Sequence, residues 1–334
     1  MTKAHHDARG RTIDYLRISI TDRCNLRCVY CMPEDGVPPC QHQDVLRYEE
    51  IERVVRVAAS LGISKIRLTG GEPLARRGFV DLVELLARIP GIEDLSMTTN
   101  GTLLAPHAQA LADAGMGRAN ISLDSLDPAR FRAMTRRGEL DDVLRGIEAA
   151  QRAGLQPIKI NVVMIHGLND DEAADFARRT VTDGWHVRFI EVMPLGEGAH
   201  WEGEGYVSSR EMRARIETAH GPLEPATLPG SGPARYWRLP GAAGTIGFIS
   251  ALSEHFCATC NRLRLTSDGR LMPCLFSDIE VDLRTPLRAG ATDDDLRALL
   301  IQAIDSKPAC HHIGEPGAPG HGVPEGRQMS RVGG

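Results

Sequence analysis

Six of the eight cysteines stand in two trios, Cys24, Cys28 and Cys31 near one end of the chain and Cys257, Cys260 and Cys274 near the other. Thiolates at such spacing are metal or iron–sulfur ligands, and a four-iron cluster normally takes four of them. The first trio has no fourth cysteine close by, so one iron would stay open to the amine and carboxylate of a bound molecule. The other reading is a structural zinc ion completed by a distant histidine. The second trio is open in the same way. With His255 it could make a Cys3His zinc site, or it could hold an auxiliary cluster with an open iron. Arg262 and Arg264 lie one strand step apart and project to the same side. Two cationic forks beside an open metal suit an anionic ligand. Cys40 and Cys310 are left over and read as free thiols.

These residues need a scaffold, and the first two-thirds of the chain supplies one. β-Branched runs at Leu16–Ile20, Lys65–Thr69, Leu95–Thr99, Asn120–Leu123, Ile158–Met164 and Val187–Val192 predict strands. Helical patterns separate them at Glu49–Leu61, Phe79–Ile89, Pro106–Ala114, Leu140–Ala153 and Asp171–Thr182. Such alternation means a parallel sheet with helices outside. Six units suit an incomplete TIM-type (β/α)6 barrel, with chemistry at the C-terminal ends of the strands. The first cysteine trio, Gly70–Pro73, Thr98–Gly101 and Asp124 all fall just past strands and should face one cavity. Pro194–Gly205 reads as a linker, which predicts a barrel over residues 1–205 and a C-terminal unit over 206–334. In that unit Arg235–Leu283 reads as short strands, Asp293–Ile304 as a helix, and the tail from Gly314 as loop.

Composition narrows the function. A net charge of −5 and only 4% aromatic residues oppose a nucleic-acid binder, including a zinc-stabilised RNA-binding scaffold. No apolar run is long enough to span a membrane, and the first residues carry no apolar export core. A reducing, cytoplasmic location is expected, in which bunched cysteines are ligands rather than disulfides.

The first trio, with Tyr30 before its last cysteine, resembles the signature of the radical S-adenosylmethionine (SAM) superfamily, and Gly70-Gly71-Glu72-Pro73 resembles its GGEP motif. Leu16–Arg23, Ile66–Pro73, Met97–Gly101, Ile121–Asp124, Phe189–Glu191, Cys257–Arg264 and the closing Gly333-Gly334 resemble the GTP 3′,8-cyclase family. The likeness runs from Tyr15 to the end, weakest over Pro33–Gln43 and Pro194–Gly244. It implies an incomplete barrel closed by a C-terminal auxiliary-cluster domain. Two [4Fe-4S] clusters would be held by Cys24, Cys28 and Cys31, and by Cys257, Cys260 and Cys274. Tyr30, Gly71, Glu72, Ser122 and Met193 would contact SAM. Arg17, Arg67, Thr98, Lys159, Arg262, Leu263 and Arg264 would hold GTP, and the Gly333-Gly334 tail would enter the active site.

The implied product is (8S)-3′,8-cyclo-7,8-dihydroguanosine 5′-triphosphate, the first intermediate of molybdenum cofactor biosynthesis. A cyclic pyranopterin monophosphate synthase would act next, and flavodoxin or ferredoxin would donate electrons to a monomer or homodimer. The residues themselves keep plainer readings in view. Arg17, Arg67 and Lys159 inside strands could pair with barrel carboxylates such as Glu191 or Asp124. Thr98 and Ser122 could cap helices, and Met193 could be core. A peptide-modifying radical SAM enzyme is the nearest rival, though such enzymes commonly carry a larger C-terminal cysteine set.

Overall fold

The structure, a computed structural model, describes residues 5–201, 203–228, 230, 232–311, 313 and 329–333. Six strand–helix units form the scaffold. The strands are β1 (Tyr15–Ser19), β2 (Lys65–Thr69), β3 (Asp94–Thr99), β4 (Arg118–Ser122), β5 (Lys159–Met164) and β6 (His186–Glu191). Between them run α1 (Tyr48–Ser60), α2 (Phe79–Ala87), α3 (Ala108–Asp113), α4 (Pro128–Thr135), α5 (Leu140–Arg152) and α6 (Ala173–Thr182). Beyond them lie α7 (Ser209–His220), β7 (Glu224–Ala226), β8 (Arg235–Arg238), β9 (Thr245–Ile249), β10 (Arg262–Leu265), β11 (Arg270–Met272), β12 (Val281–Asp282), α8 (Arg284–Arg288), α9 (Asp293–Asp305) and α10 (Met329–Val332).

The twelve strands among the described residues join one open sheet, in the order β12-β11-β10-β1-β2-β3-β4-β5-β6-β9-β8-β7. β1 to β6 are parallel neighbours, as an incomplete barrel requires. The C-terminal segment flanks them on both sides. β10 runs parallel to β1, and β9 runs parallel to β6. The sheet is therefore continuous across residue 205, and eight strands in a row share one direction.

Alternation along each strand sorts the side chains. Leu16, Ile18, Ile66, Leu68, Ile121, Ile160, Val162, Val187 and Phe189 point outward and pack under the helices in the main core. The inward positions carry Arg17, Arg67, Asn161, Arg188 and Arg264, which line a cavity instead of filling an apolar barrel.

Several elements differ from the sequence reading, among them α4, α7 and the tail. α4 starts at Pro128, and the Asp127 carboxylate accepts from the Arg130 amide at 2.7 Å. α7 is capped by Ser208, whose hydroxyl accepts from the Glu211 amide at 3.2 Å. Both carry ordinary start signals that are short enough to overlook. The tail, expected as loop, ends in the helical turn α10, where Val332 is buried against Leu195, Met272 and Leu275. No helix among the described residues is long and apolar enough to cross a membrane.

Candidate active site

Two cavities open at the C-terminal ends of the barrel strands. The first is lined by Cys24, Cys28, Cys31, Tyr30, Gly70, Gly71, Thr98, Ser122 and Asp124. The cysteine loop is pressed onto the end of β2. The Gly71 amide donates to the Thr21 carbonyl at 2.7 Å, and the Glu72 amide to the Arg23 carbonyl at 2.8 Å. A Cβ on Gly71 would stand 2.3 Å from the Arg23 oxygen, and one on Gly70 2.5 Å from the Thr21 oxygen. Glycine is thus needed here for the backbone crossing itself, in addition to any approach of a ligand.

Glu72 is not in the cavity. Fully buried, it accepts from the Thr99 hydroxyl at 2.8 Å, the Asn100 amide at 2.8 Å and the Leu74 amide at 3.1 Å. Burial still raises its carboxyl to about 7. Through these bonds it clamps the loops after β2 and β3 together. Tyr30 does line the cavity, with its hydroxyl donating to Asp124 at 2.7 Å. Asp124 also accepts from the Val163 amide at 2.8 Å, and burial raises it to about 6.

The second cavity is lined by Cys257, Cys260, Cys274, Phe256, Phe276 and a group of cations. Arg264, Arg17 and Arg67 are direct cross-strand neighbours. Arg262 and Arg188 complete the set. Among the described residues no carboxylate lies within ion-pair reach of Arg67, Arg188, Arg262 or Arg264. Burial holds Arg188 and Arg264 down at about 10, and it lowers Arg17 and Arg67 as well. The two carboxylates that could have neutralised the strand cations are engaged elsewhere. Glu191 accepts from Ser209, Leu252 and Ser253, and Asp124 from Tyr30 and Val163. Several guanidiniums buried on one wall without carboxylates are costly unless an anion joins them.

Lys159 sits behind this wall. A Cβ on Gly230 would be 3.0 Å from its Nζ, so Gly230 packs directly on that nitrogen. The Leu263 side chain is fully buried on the outward face of β10, in the main core. Thr98 lines the first cavity rather than the cationic one. Its buried hydroxyl has no hydrogen-bond partner, and neither does the Asn161 side-chain oxygen.

Asn161, Ile190, Met193 and Met329 line both cavities, so a thin partition of side chains is all that separates them. Met329 belongs to α10, which brings the tail to this partition. Gly333, at a φ of 76°, packs on Thr69, where a Cβ would stand 2.3 Å from the methyl. Its carbonyl accepts from Arg264 Nη1 at 2.5 Å. Gly334 lies outside the described residues.

The donors fit iron–sulfur clusters better than single ions. A single zinc ion with 2.3 Å sulfur bonds draws its thiolates to within roughly 3.8 Å of one another. Among the described residues neither trio is gathered that closely. The first cavity offers three thiols and no fourth cysteine or histidine, which leaves a coordination position open. In the second, burial opposes ionisation of Cys260, but the charges of Arg262 and Lys307 outweigh it and bring the thiol down to about 6.

The sequence reading missed Arg188, Lys307 and Asn161. Arg188 carried the same signal as Arg17, a charge inside a buried strand. Lys307, 2% exposed, donates to the carbonyls of Arg262 at 2.7 Å and Pro273 at 2.6 Å, beside the second trio. Only the fold reveals that pairing.

Residues 18–180 match the family model of the Radical SAM superfamily, and residues 185–313 match that of Molybdenum Cofactor Synthesis C. The chain is 53% identical over 330 residues to the GTP 3′,8-cyclase of Heliobacterium modesticaldum, covering 98% of this chain and 99% of that one. It is 52% identical over 329 residues to the GTP 3′,8-cyclase of Pelotomaculum thermopropionicum, with the same coverage. Streptococcus suis SuiB bound to S-adenosylmethionine shares the fold, with a TM-score of 0.59 at 13% identity over 85% of this chain and 68% of that one.

Proposed function

The chain belongs to the GTP 3′,8-cyclase family of radical SAM proteins, and from that premise we propose that its two cavities divide one reaction between them. It converts GTP to (8S)-3′,8-cyclo-7,8-dihydroguanosine 5′-triphosphate, the first step of molybdenum cofactor biosynthesis. It uses SAM and two [4Fe-4S] clusters. When bound, these supply a 5′-deoxyadenosyl radical on one side and an open iron for the guanine edge on the other.

Cys24, Cys28 and Cys31 hold the first cluster. Tyr30, Gly71, Ser122 and Met193 surround SAM, with Asp124 fixing the Tyr30 ring. Cys257, Cys260 and Cys274 hold the second cluster. Arg17, Arg67, Lys159, Arg188, Arg262 and Arg264 receive the triphosphate, for which guanidinium forks are suited. Fixing both ends of the nucleotide presents the ribose to the partition. Removal of the 3′ hydrogen, bonding of C3′ to C8, and uptake of one electron and one proton complete the change. Flavodoxin or ferredoxin supplies electrons, and a cyclic pyranopterin monophosphate synthase consumes the product.

One observation supports this reading above the others, the shared wall of Asn161, Ile190, Met193 and Met329. It sets a three-cysteine cavity against an arginine-lined cavity at the distance of a single side-chain layer. Anaerobic iron and sulfide assays test the cofactor content. About eight of each per chain are expected. Stoichiometric zinc with little sulfide would sink the reading.

A further inference from the structure

Cys310 lies outside both trios, yet it is not isolated. Its thiol is hydrogen-bonded to that of Cys257, and the His311 amide also donates to the Cys257 sulfur. A ring nitrogen of His255 and the sulfurs of Cys257 and Cys310 all lie within 4.8 Å of one another. Among the described residues this is the group gathered closely enough for one ion. Tetrahedral zinc, with bonds of about 2.0–2.3 Å, needs its nitrogen and sulfur donors roughly 3.3–3.8 Å apart, a small further contraction.

The surroundings hold the group in place. His255 Nδ1 pairs with His311 Nε2 at 3.1 Å, and the two rings stand edge to face. A ligating histidine is commonly steered by such a partner on its other nitrogen. Arg11 joins the two chain segments. Its guanidinium donates to the Cys257 carbonyl at 2.9 Å and to the Pro308 carbonyl at 2.8 Å. Asp7, buried, anchors Arg11 through Nε at 2.6 Å. His255 is exposed and the two cysteines are half-buried, so an ion can enter from solvent.

We propose that His255, Cys257 and Cys310 form a second-occupant site for a zinc-class divalent ion, mutually exclusive with the second iron–sulfur cluster. Two thiolates and an imidazole are the donor set such an ion prefers, with water at the fourth position. Binding releases the two thiol protons and changes no oxidation state. Exclusivity rests on the reading above that Cys257 is a cluster ligand, because one sulfur is then claimed by both metals. A chain lacking its second cluster would keep Cys257 as a zinc thiolate. Cluster assembly would have to displace that ion.

The test uses the full chain, cluster-free, reduced and anaerobic, with Cys24, Cys28 and Cys31 changed to serine so that the first trio does not compete. Zinc is titrated against a chromophoric chelator, and circular dichroism checks that each variant is folded. One tight equivalent is expected. Cys310→Ser and His255→Ala should each weaken it by more than the roughly 10- to 100-fold that losing an outer-shell partner costs. Cys274→Ser should leave it unchanged. X-ray absorption of the bound zinc should show two sulfur donors. Three sulfurs, or loss of binding with Cys274→Ser but not with Cys310→Ser, would overturn the proposal in favour of an ion in the second trio. The wild-type protein with both clusters should take up no zinc without losing iron. Uptake with all iron retained would refute exclusivity. A missing second cluster in the iron assay would strike the cluster reading while leaving this zinc titration to stand or fall by itself.

Discussion

Lys159, 3% exposed at the start of β5, is held at about pKa 7 by burial first and then by the charges of Arg188, Arg118 and Arg67. In the ligand-free protein at pH 8 it is therefore mostly neutral. A triphosphate beside it restores the ammonium, so binding should take up close to one proton between about pH 7 and the lysine's ordinary range near 10.4. The sign is fixed by linkage. Affinity for GTP should fall as pH rises above about 7, by up to about ten-fold per unit. Titration calorimetry in buffers of different ionisation enthalpy measures the uptake, and Lys159→Met should abolish it. An affinity flat from pH 7 to 9 would remove Lys159 from the phosphate site.

At this scale the cysteines were legible because spacing alone limits what thiolates can do. Arg17 and Arg67 were legible because a charge in a buried strand demands a reason. The burial of the Glu72 and Leu263 side chains was not legible, since adjacency to a motif does not say which way a side chain points. Cys310 was unreadable: its neighbour Cys257 is far away in sequence, and only the fold brings the two sulfurs together.

Elements carry the next set of consequences. The α10 turn seals the partition with Met329, and Arg264 reaches it through the Gly333 carbonyl. Gly333 combines a left-handed backbone with a contact that leaves no room for a Cβ. Gly333→Ala should therefore lift the tail from Thr69. The tail's own burial is slight beside the main core, so thermal stability should change little and iron content not at all. GTP-dependent formation of 5′-deoxyadenosine should fall at least ten-fold. A variant that forms 5′-deoxyadenosine at the normal rate would make the docking incidental. The strands of the first six units were readable from their β-branched runs to within a residue or two. α10 was not, because four residues after a Gly- and Pro-rich stretch carry no periodicity worth the name.

The whole molecule is a barrel that its own C-terminal segment widens. β9 and β10 extend the parallel sheet past β6 and past β1, and β10 thereby sets Arg264 beside Arg17. Sequence predicted short strands there but could not assign their partners, since pairing across this distance is decided by the assembled sheet and not by local pattern. The result puts the second cysteine trio and the arginines on one side of a layer of side chains, the first trio on the other, and Met329 of the tail in the layer itself. In the proposed reaction a hydrogen atom crosses that layer. The direct measurement uses GTP carrying deuterium at the ribose 3′ position, turned over anaerobically by the protein with both clusters and SAM, followed by mass spectrometry of the 5′-deoxyadenosine formed. The account predicts 5′-deoxyadenosine carrying one deuterium, together with cyclised nucleotide that has lost it. Unlabelled 5′-deoxyadenosine beside GTP that keeps its deuterium would contradict it.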